Sequence, residues 1–180
     1  MNIPLTNETL NMMLWKKPRA GAIVRGGSAN PGLTGHIYFY PVREGTLVIS
    51  EVKGLPVKSG SCGGGFFGFH IHEGERCTGD ASDEFKNAGS HLNPGGCDHP
   101  YHMGDMPVLL GTRDGSSWSA FYTDRFTPEE VEGHTVIIHD MPDDFRSQPS
   151  GGSGTKIACG VIQKLNAAFF PKDETQFSDQ

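Results

Sequence analysis

The stretch TGHIYFYPVREGTLVISEV, residues 34–52, contains two short runs rich in β-branched and aromatic residues with an Arg-Glu-Gly segment between them. This pattern is typical of two antiparallel strands joined by a turn. Six further runs along the chain are also rich in β-branched and aromatic residues. The eight predicted strands are 20–26, 34–41, 45–52, 66–72, 106–112, 117–123, 134–139 and 157–163. Eight strands and hardly any helix predict an all-β sandwich or barrel.

The composition agrees with a β-rich fold, because 25 glycines and 12 prolines in 180 residues supply many turns. The net charge of −6 gives no reason to expect nucleic acid or an anionic membrane as a partner. No run approaches the roughly 20 apolar residues of a membrane span. We expect one domain over residues 19–165, an N-terminal arm over 1–18 and a C-terminal tail over 166–180.

The first twenty residues contain no basic segment followed by an apolar one, so they do not resemble a signal peptide, and this favours the cytoplasm. Four cysteines are present: Cys62, Cys77, Cys97 and Cys159. Their even number is weak support for disulfides, and the sequence does not determine which of them pair.

Three histidines fall at positions where strands could present them to one metal. His70 and His72, in GFHIHEG, lie two residues apart, and alternate residues of a strand share one face. His139 ends the run TVIIH, where it could supply a third ligand from across the sheet. An exposed His-x-His pair without metal is the alternative for the first two.

A second group lies in residues 73–105. A connection of this length in a compact domain usually has a functional role. His91, His99, His102 and Asp105 offer three imidazoles and a carboxylate within fifteen residues, a donor set that suits zinc. A solvated histidine-rich loop is the alternative. Because His91 has two ring nitrogens, it could face a different metal with each of them.

Five segments together resemble, in order, the motifs of copper/zinc superoxide dismutases of the bacterial kind: GFHIHE, NAGSHLNP, HMGD, TVIIHDMPDD and GTKIACGVI. The resemblance implies an immunoglobulin-like, eight-stranded antiparallel Greek-key barrel with long metal-binding loops. It also implies an enzyme that converts superoxide to dioxygen and hydrogen peroxide by Cu(II)/Cu(I) cycling at a histidine-bridged copper/zinc site. A homodimer is one possible assembly, but dimer contacts in this fold lie on barrel surfaces without a local sequence signature, so the sequence does not determine the oligomeric state.

The same resemblance assigns roles to individual residues. Copper would be bound by His70, His72, His91 and His139, and zinc by His91, His99, His102 and Asp105. Asp143 would link one copper histidine to one zinc histidine, and His91 would carry a proton to the product. Cys77 would pair with Cys159, which favours an oxidising, extracytoplasmic compartment. Cys62 and Cys97 would form a second bridge or stay reduced.

Two features depart from the family pattern. Lys156 stands where the family has a substrate-guiding arginine, and a lysine is a point donor on a flexible stem, not a planar fork. A solvated strand-end lysine is the alternative. The short His99–His102 spacing could leave the zinc set open and the site dominated by copper. These departures motivate two rival functions: a non-catalytic copper-binding module, and a secreted structural sandwich that binds only zinc.

Overall fold

The computed structural model of the chain describes residues 17–58 and 63–165. Within these residues it contains ten strands and one short 3₁₀ helix, Lys86–Ala88. The strands are β1 Ala20–Gly26, β2 Thr34–Val42, β3 Gly45–Lys53, β4 Gly65–Phe67, β5 Phe69–His72, β6 Leu109–Gly111, β7 Ser117–Thr123, β8 Thr135–His139, β9 Lys156–Val161 and β10 Gln163–Lys164. The arm (apart from 17 and 18) and the tail lie outside the described residues, so the domain boundaries stay predictions.

The strands form a curled antiparallel sheet in the order β5-β8-β9-β1-β2-β3-β7, and the short β10 adds to β1. β4 and β6 make a separate two-stranded sheet. The prediction of an all-β antiparallel barrel is therefore confirmed. No helix among the described residues is long and apolar enough to cross a bilayer.

The predicted strand 66–72 is divided at Gly68 into β4 and β5, which pair with different partners, β6 and β8. The Gly68 amide donates to the Met141 carbonyl oxygen at 2.8 Å, and its own carbonyl accepts from the His139 amide at 2.8 Å. A Cβ at this position would lie 2.8 Å from the Cβ of Ser153. Glycine thus allows the bend that brings the His-x-His strand against the end of β8.

Strand alternation determines which residues of β5 reach the hydrophobic core. Phe69 and Ile71 are fully buried members of that core. His70 and His72 lie on the opposite face, yet both are buried too. The connection between β5 and β6 covers them, as the antiparallel bridges of His70 with Asp105 and of His72 with His91 show.

A disulfide joins Cys77, in this long connection, to Cys159 in β9, as predicted. It ties together residues 82 positions apart in the chain. Cys97 has an exposed free thiol, and its candidate partner Cys62 lies outside the described residues. The second bridge therefore finds no support in the structure.

Candidate metal centre

The seven residues predicted as ligands converge into two adjacent groups that share His91. Within each group, one potential ligand atom per residue lies within 4.8 Å of all the others. The first group is His70, His72, His91 and His139, and the second is His91, His99, His102 and Asp105. The chain's other two histidines lie outside both groups, in agreement with the absence of a ligand motif around them.

The first group is built from two paired strands and one loop. His70 and His72 project from β5, and His139 ends β8, the antiparallel neighbour of β5. The His72 Nδ1 donates to the Gly89 carbonyl oxygen at 2.9 Å, so the lone pair of that ring is on Nε2. His72 Nε2 and His139 Nε2 are 3.3 Å apart. Their lone pairs therefore meet at a common point.

The rings of His70, His72 and His139 are neutral at neutral pH. Burial lowers the pKa of His70, and burial together with the charges of His139 and His91 lowers the pKa of His72 well below its ordinary value. Burial and the neighbouring rings His70 and His91 lower the pKa of His139 to about 3. A neutral imidazole keeps a free lone pair, as a metal ligand must.

The second group surrounds the Asp105 carboxylate. The Asp105 Oδ1 accepts from His91 Nδ1 at 2.7 Å, while Oδ2 lies 3.1 Å from His99 Nδ1 and 3.3 Å from His102 Nδ1. The short spacing between His99 and His102 therefore does not prevent the four residues of this group from coming together.

The hydrogen bonding of four ring nitrogens shows whether metals fit these groups. His70 Nδ1, His91 Nε2, His99 Nδ1 and His102 Nδ1 are buried and make no hydrogen bond among the described residues. Buried nitrogens without partners are costly unless a ligand satisfies them. Three imidazoles and one carboxylate match the tetrahedral donor set of zinc, and four imidazole nitrogens suit copper. The residues fit both metals.

Asp143 connects the two groups. Its Oδ2 accepts from His70 Nε2 at 2.8 Å and its Oδ1 accepts from His99 Nε2 at 2.9 Å, with all three side chains fully buried. Burial raises the pKa of Asp143, but hydrogen bonds from His70, the Phe145 amide and His99 outweigh it and lower the pKa to about 2. The carboxylate is therefore charged, and it holds both rings with Nδ1 free.

Arg125 supports the second group from behind. Its Nη1 donates to the carbonyl oxygens of Pro100, His102 and Asp105 at 2.8, 3.2 and 3.4 Å. The guanidinium thus fixes the backbone of the turn that carries two of the four donors. Sequence reasoning missed Arg125, because an arginine 20 residues after Asp105 carries no local signal of this contact.

A cavity of about 640 Å³ opens over the first group and is lined by His72, His91 and His139. Lys156, the residue at the position of the guiding arginine, lines the same cavity. Its Nζ is not free: it donates to Asp83 Oδ2 at 2.7 Å and to the Phe85 carbonyl oxygen at 3.4 Å. Sequence reasoning placed the cation but missed the acid beside it.

Comparison with known proteins places this geometry in a family. The family model for copper/zinc superoxide dismutase matches residues 33–162, well over half of the chain. The chain belongs to the copper/zinc superoxide dismutase family. A superoxide dismutase [Cu-Zn] of Deinococcus radiodurans is 35% identical, with 74% of this chain and 79% of that protein covered. One of Caulobacter vibrioides is 28% identical, with 80% and 85% covered.

A solved structure also resembles this member of the copper/zinc superoxide dismutase family. The crystal structure of the clock protein EA4 has 28% sequence identity and a TM-score of 0.65, and the match covers 92% of this chain and 100% of that one. A likeness at this TM-score over nearly the whole chain is a likeness of overall fold.

Proposed function

We propose that the protein is a superoxide dismutase, which converts two superoxide anions and two protons into dioxygen and hydrogen peroxide. The observation that carries the proposal is the pair of donor groups joined through the single ring of His91 beneath an open cavity. When bound, copper would supply the one-electron oxidation and reduction of superoxide, and zinc would supply a positive charge that stabilises the shared ring.

We assign copper to His70, His72, His91 and His139, and zinc to His91, His99, His102 and Asp105. Neutral, buried rings support the first assignment, and unpartnered Nδ1 atoms around a carboxylate support the second. Asp143 orients one ring of each set, because a ligating histidine needs its other nitrogen held.

His91 is the residue we expect to carry a proton to the product. Its Nδ1 is fixed by Asp105 at 2.7 Å, whereas its Nε2 makes no hydrogen bond among the described residues. The ring also lines the cavity through which superoxide would enter. Nε2 can therefore hold a proton beside the substrate while the other nitrogen keeps the ring in place.

Lys156 is the cation that we expect to face the substrate. It is the single lysine or arginine among the described residues that line the cavity. In the part of the wall that the structure describes, a superoxide anion entering there would meet no other lysine or arginine.

The disulfide supports an extracytoplasmic location, since such bonds persist in oxidising compartments. This reasoning opposes the expectation drawn from the first twenty residues. Fractionation of the source cells followed by immunodetection would decide between the two. A homodimer stays a prediction.

Elemental analysis of the purified chain, paired with a superoxide assay, tests the function. We expect about one copper and one zinc per chain together with rapid dismutation. Copper without turnover would instead support a non-catalytic copper-binding module, and zinc alone would support a structural sandwich.

A further inference from the structure

The ion pair between Lys156 and Asp83 is the feature from which we draw a further inference. The Lys156 side chain is only 16% exposed, and the Asp83 carboxylate, at 36%, is in direct contact with it at the cavity wall. An ammonium with a carboxylate at 2.7 Å presents a dipole, not a net charge, to an approaching anion. The field of a dipole falls off faster with distance than that of a charge.

The remaining charges of the cavity do not restore a positive field. Glu73 also lines it, so the described lining contains two carboxylates and one ammonium. The whole chain carries a net charge of −6. Among the described side chains that line the cavity, carboxylates therefore outnumber cations, so an approaching anion would meet uncompensated positive charge only from the metals that the two histidine groups would hold.

The ion pair is also held in place on both sides. Asp83 Oδ1 accepts from the Phe85 amide at 3.0 Å, which orients the carboxylate toward the cavity. Asp83 follows Cys77 by six residues and Lys156 precedes Cys159 by three, so the disulfide links the two segments that carry the pair. The contact is therefore a fixed part of the cavity wall.

We propose that Asp83 is a positioning residue for dismutation: it anchors Lys156 at the cavity wall and cancels most of its attraction for superoxide. The inference rests on the proposed function and deepens it. In the protein as it stands, the decline of kcat/KM with ionic strength should be shallower than in a variant whose Lys156 is uncompensated, because only the bound metals would then attract the anion. An uncompensated guiding cation adds its own attraction and gives a steeper decline with added salt.

Asp83→Asn tests the proposal in the copper- and zinc-loaded protein. An asparagine oxygen still accepts from Nζ, so Lys156 stays in place while its charge is no longer compensated. We expect kcat/KM at low ionic strength to rise about threefold, the order expected for one unit charge acting on a monoanion across a partly solvated cavity. The gain should disappear with added salt and in the double variant Asp83→Asn/Lys156→Met.

Asp114→Asn is the matched control. Asp114 is an exposed carboxylate in the turn between β6 and β7, where it accepts from the Thr112 hydroxyl at 2.6 Å and the Ser116 amide at 3.0 Å, and it is not among the residues lining the cavity. Its replacement changes the net charge of the chain by the same amount. Equal effects of the two asparagine variants, or a lower kcat/KM in Asp83→Asn, would overturn the proposal.

A binding measurement separates this inference from the proposed function. Titration of the copper-loaded protein with azide, followed by visible absorption, should show about threefold tighter binding in Asp83→Asn and no change in Asp114→Asn. Tighter azide binding without any dismutation would overturn the proposed function and keep the role of Asp83. Dismutation together with an unchanged azide affinity in Asp83→Asn would keep the proposed function and overturn the role of Asp83. Lys156→Met provides a second variant, whose kcat/KM at low ionic strength should fall below that of the wild type because Asp83 is then uncompensated at the cavity wall.

Discussion

Replacing Asp143 with asparagine tests whether one carboxylate controls both metal groups. Asp143 accepts hydrogen bonds from His70 Nε2 and His99 Nε2, and both rings must donate there to leave Nδ1 free. An asparagine oxygen can accept from only one of them, and its NH₂ group would face the N–H of the other ring. One buried donor is then left unpaired.

The structure indicates the size of the effect. An unpaired buried N–H costs about 1–3 kcal/mol, and losing a hydrogen bond to a charged group costs about 1.5–3 kcal/mol. We expect about 3 kcal/mol in total, which corresponds to roughly a hundredfold weaker zinc affinity. The assay is competition for zinc between the metal-free protein and a chromophoric chelator.

Asp144→Asn is the control, because the neighbouring carboxylate is exposed and bonds only to Ser147 and backbone amides among its described contacts. Circular dichroism checks that both variants fold. A zinc affinity of the Asp143 variant within threefold of the wild type would refute the argument that this carboxylate orients the ligands.

Three other predictions follow from the same geometry. His139→Ala should abolish dismutation and leave zinc binding unchanged. His36→Ala is the control, because His36 lies on the outer surface of β2 and its replacement should change neither property. Dismutation by the His139→Ala variant with copper still bound would contradict the copper assignment. Cys159→Ser should lower the free energy of unfolding in urea by about 4.5 kcal/mol, from the closure entropy of so long a loop; a loss below 1 kcal/mol would count against that account. Gly151→Ala should weaken zinc binding, because Gly151 has φ +66° and an added Cβ would collide with the Asp143 carboxylate; unchanged zinc affinity would show that the loop moves aside.

The strands and the candidate ligands could be predicted because their signals are local. Alternation along FHIH determines which side chains share a face, and the observed bounds of β1 and β7 match the predicted runs residue for residue. Local spacing left the two donor groups open, and the resemblance of five ordered motifs to the copper/zinc superoxide dismutases implied which histidines belong to each.

The features that the sequence did not reveal depend on contacts between distant segments. Asp83 and Lys156 are 73 residues apart, and no spacing rule joins a loop acid to a strand-end lysine. The division of one predicted strand at Gly68 follows from its having two different partners, β6 and β8. Arg125 reaches three carbonyl oxygens that become neighbours only when the 100–105 turn is folded.

The ring of His91 belongs to both donor groups, and the carboxylate of Asp143 holds one ring of each, so the two sites cannot load independently. Ordering these shared side chains at one site removes part of the entropic cost of binding at the other. Thermodynamic linkage then requires reciprocity: whatever factor zinc contributes to copper affinity, copper contributes to zinc affinity. The order of metal delivery changes the route to the loaded protein and leaves its total binding free energy the same.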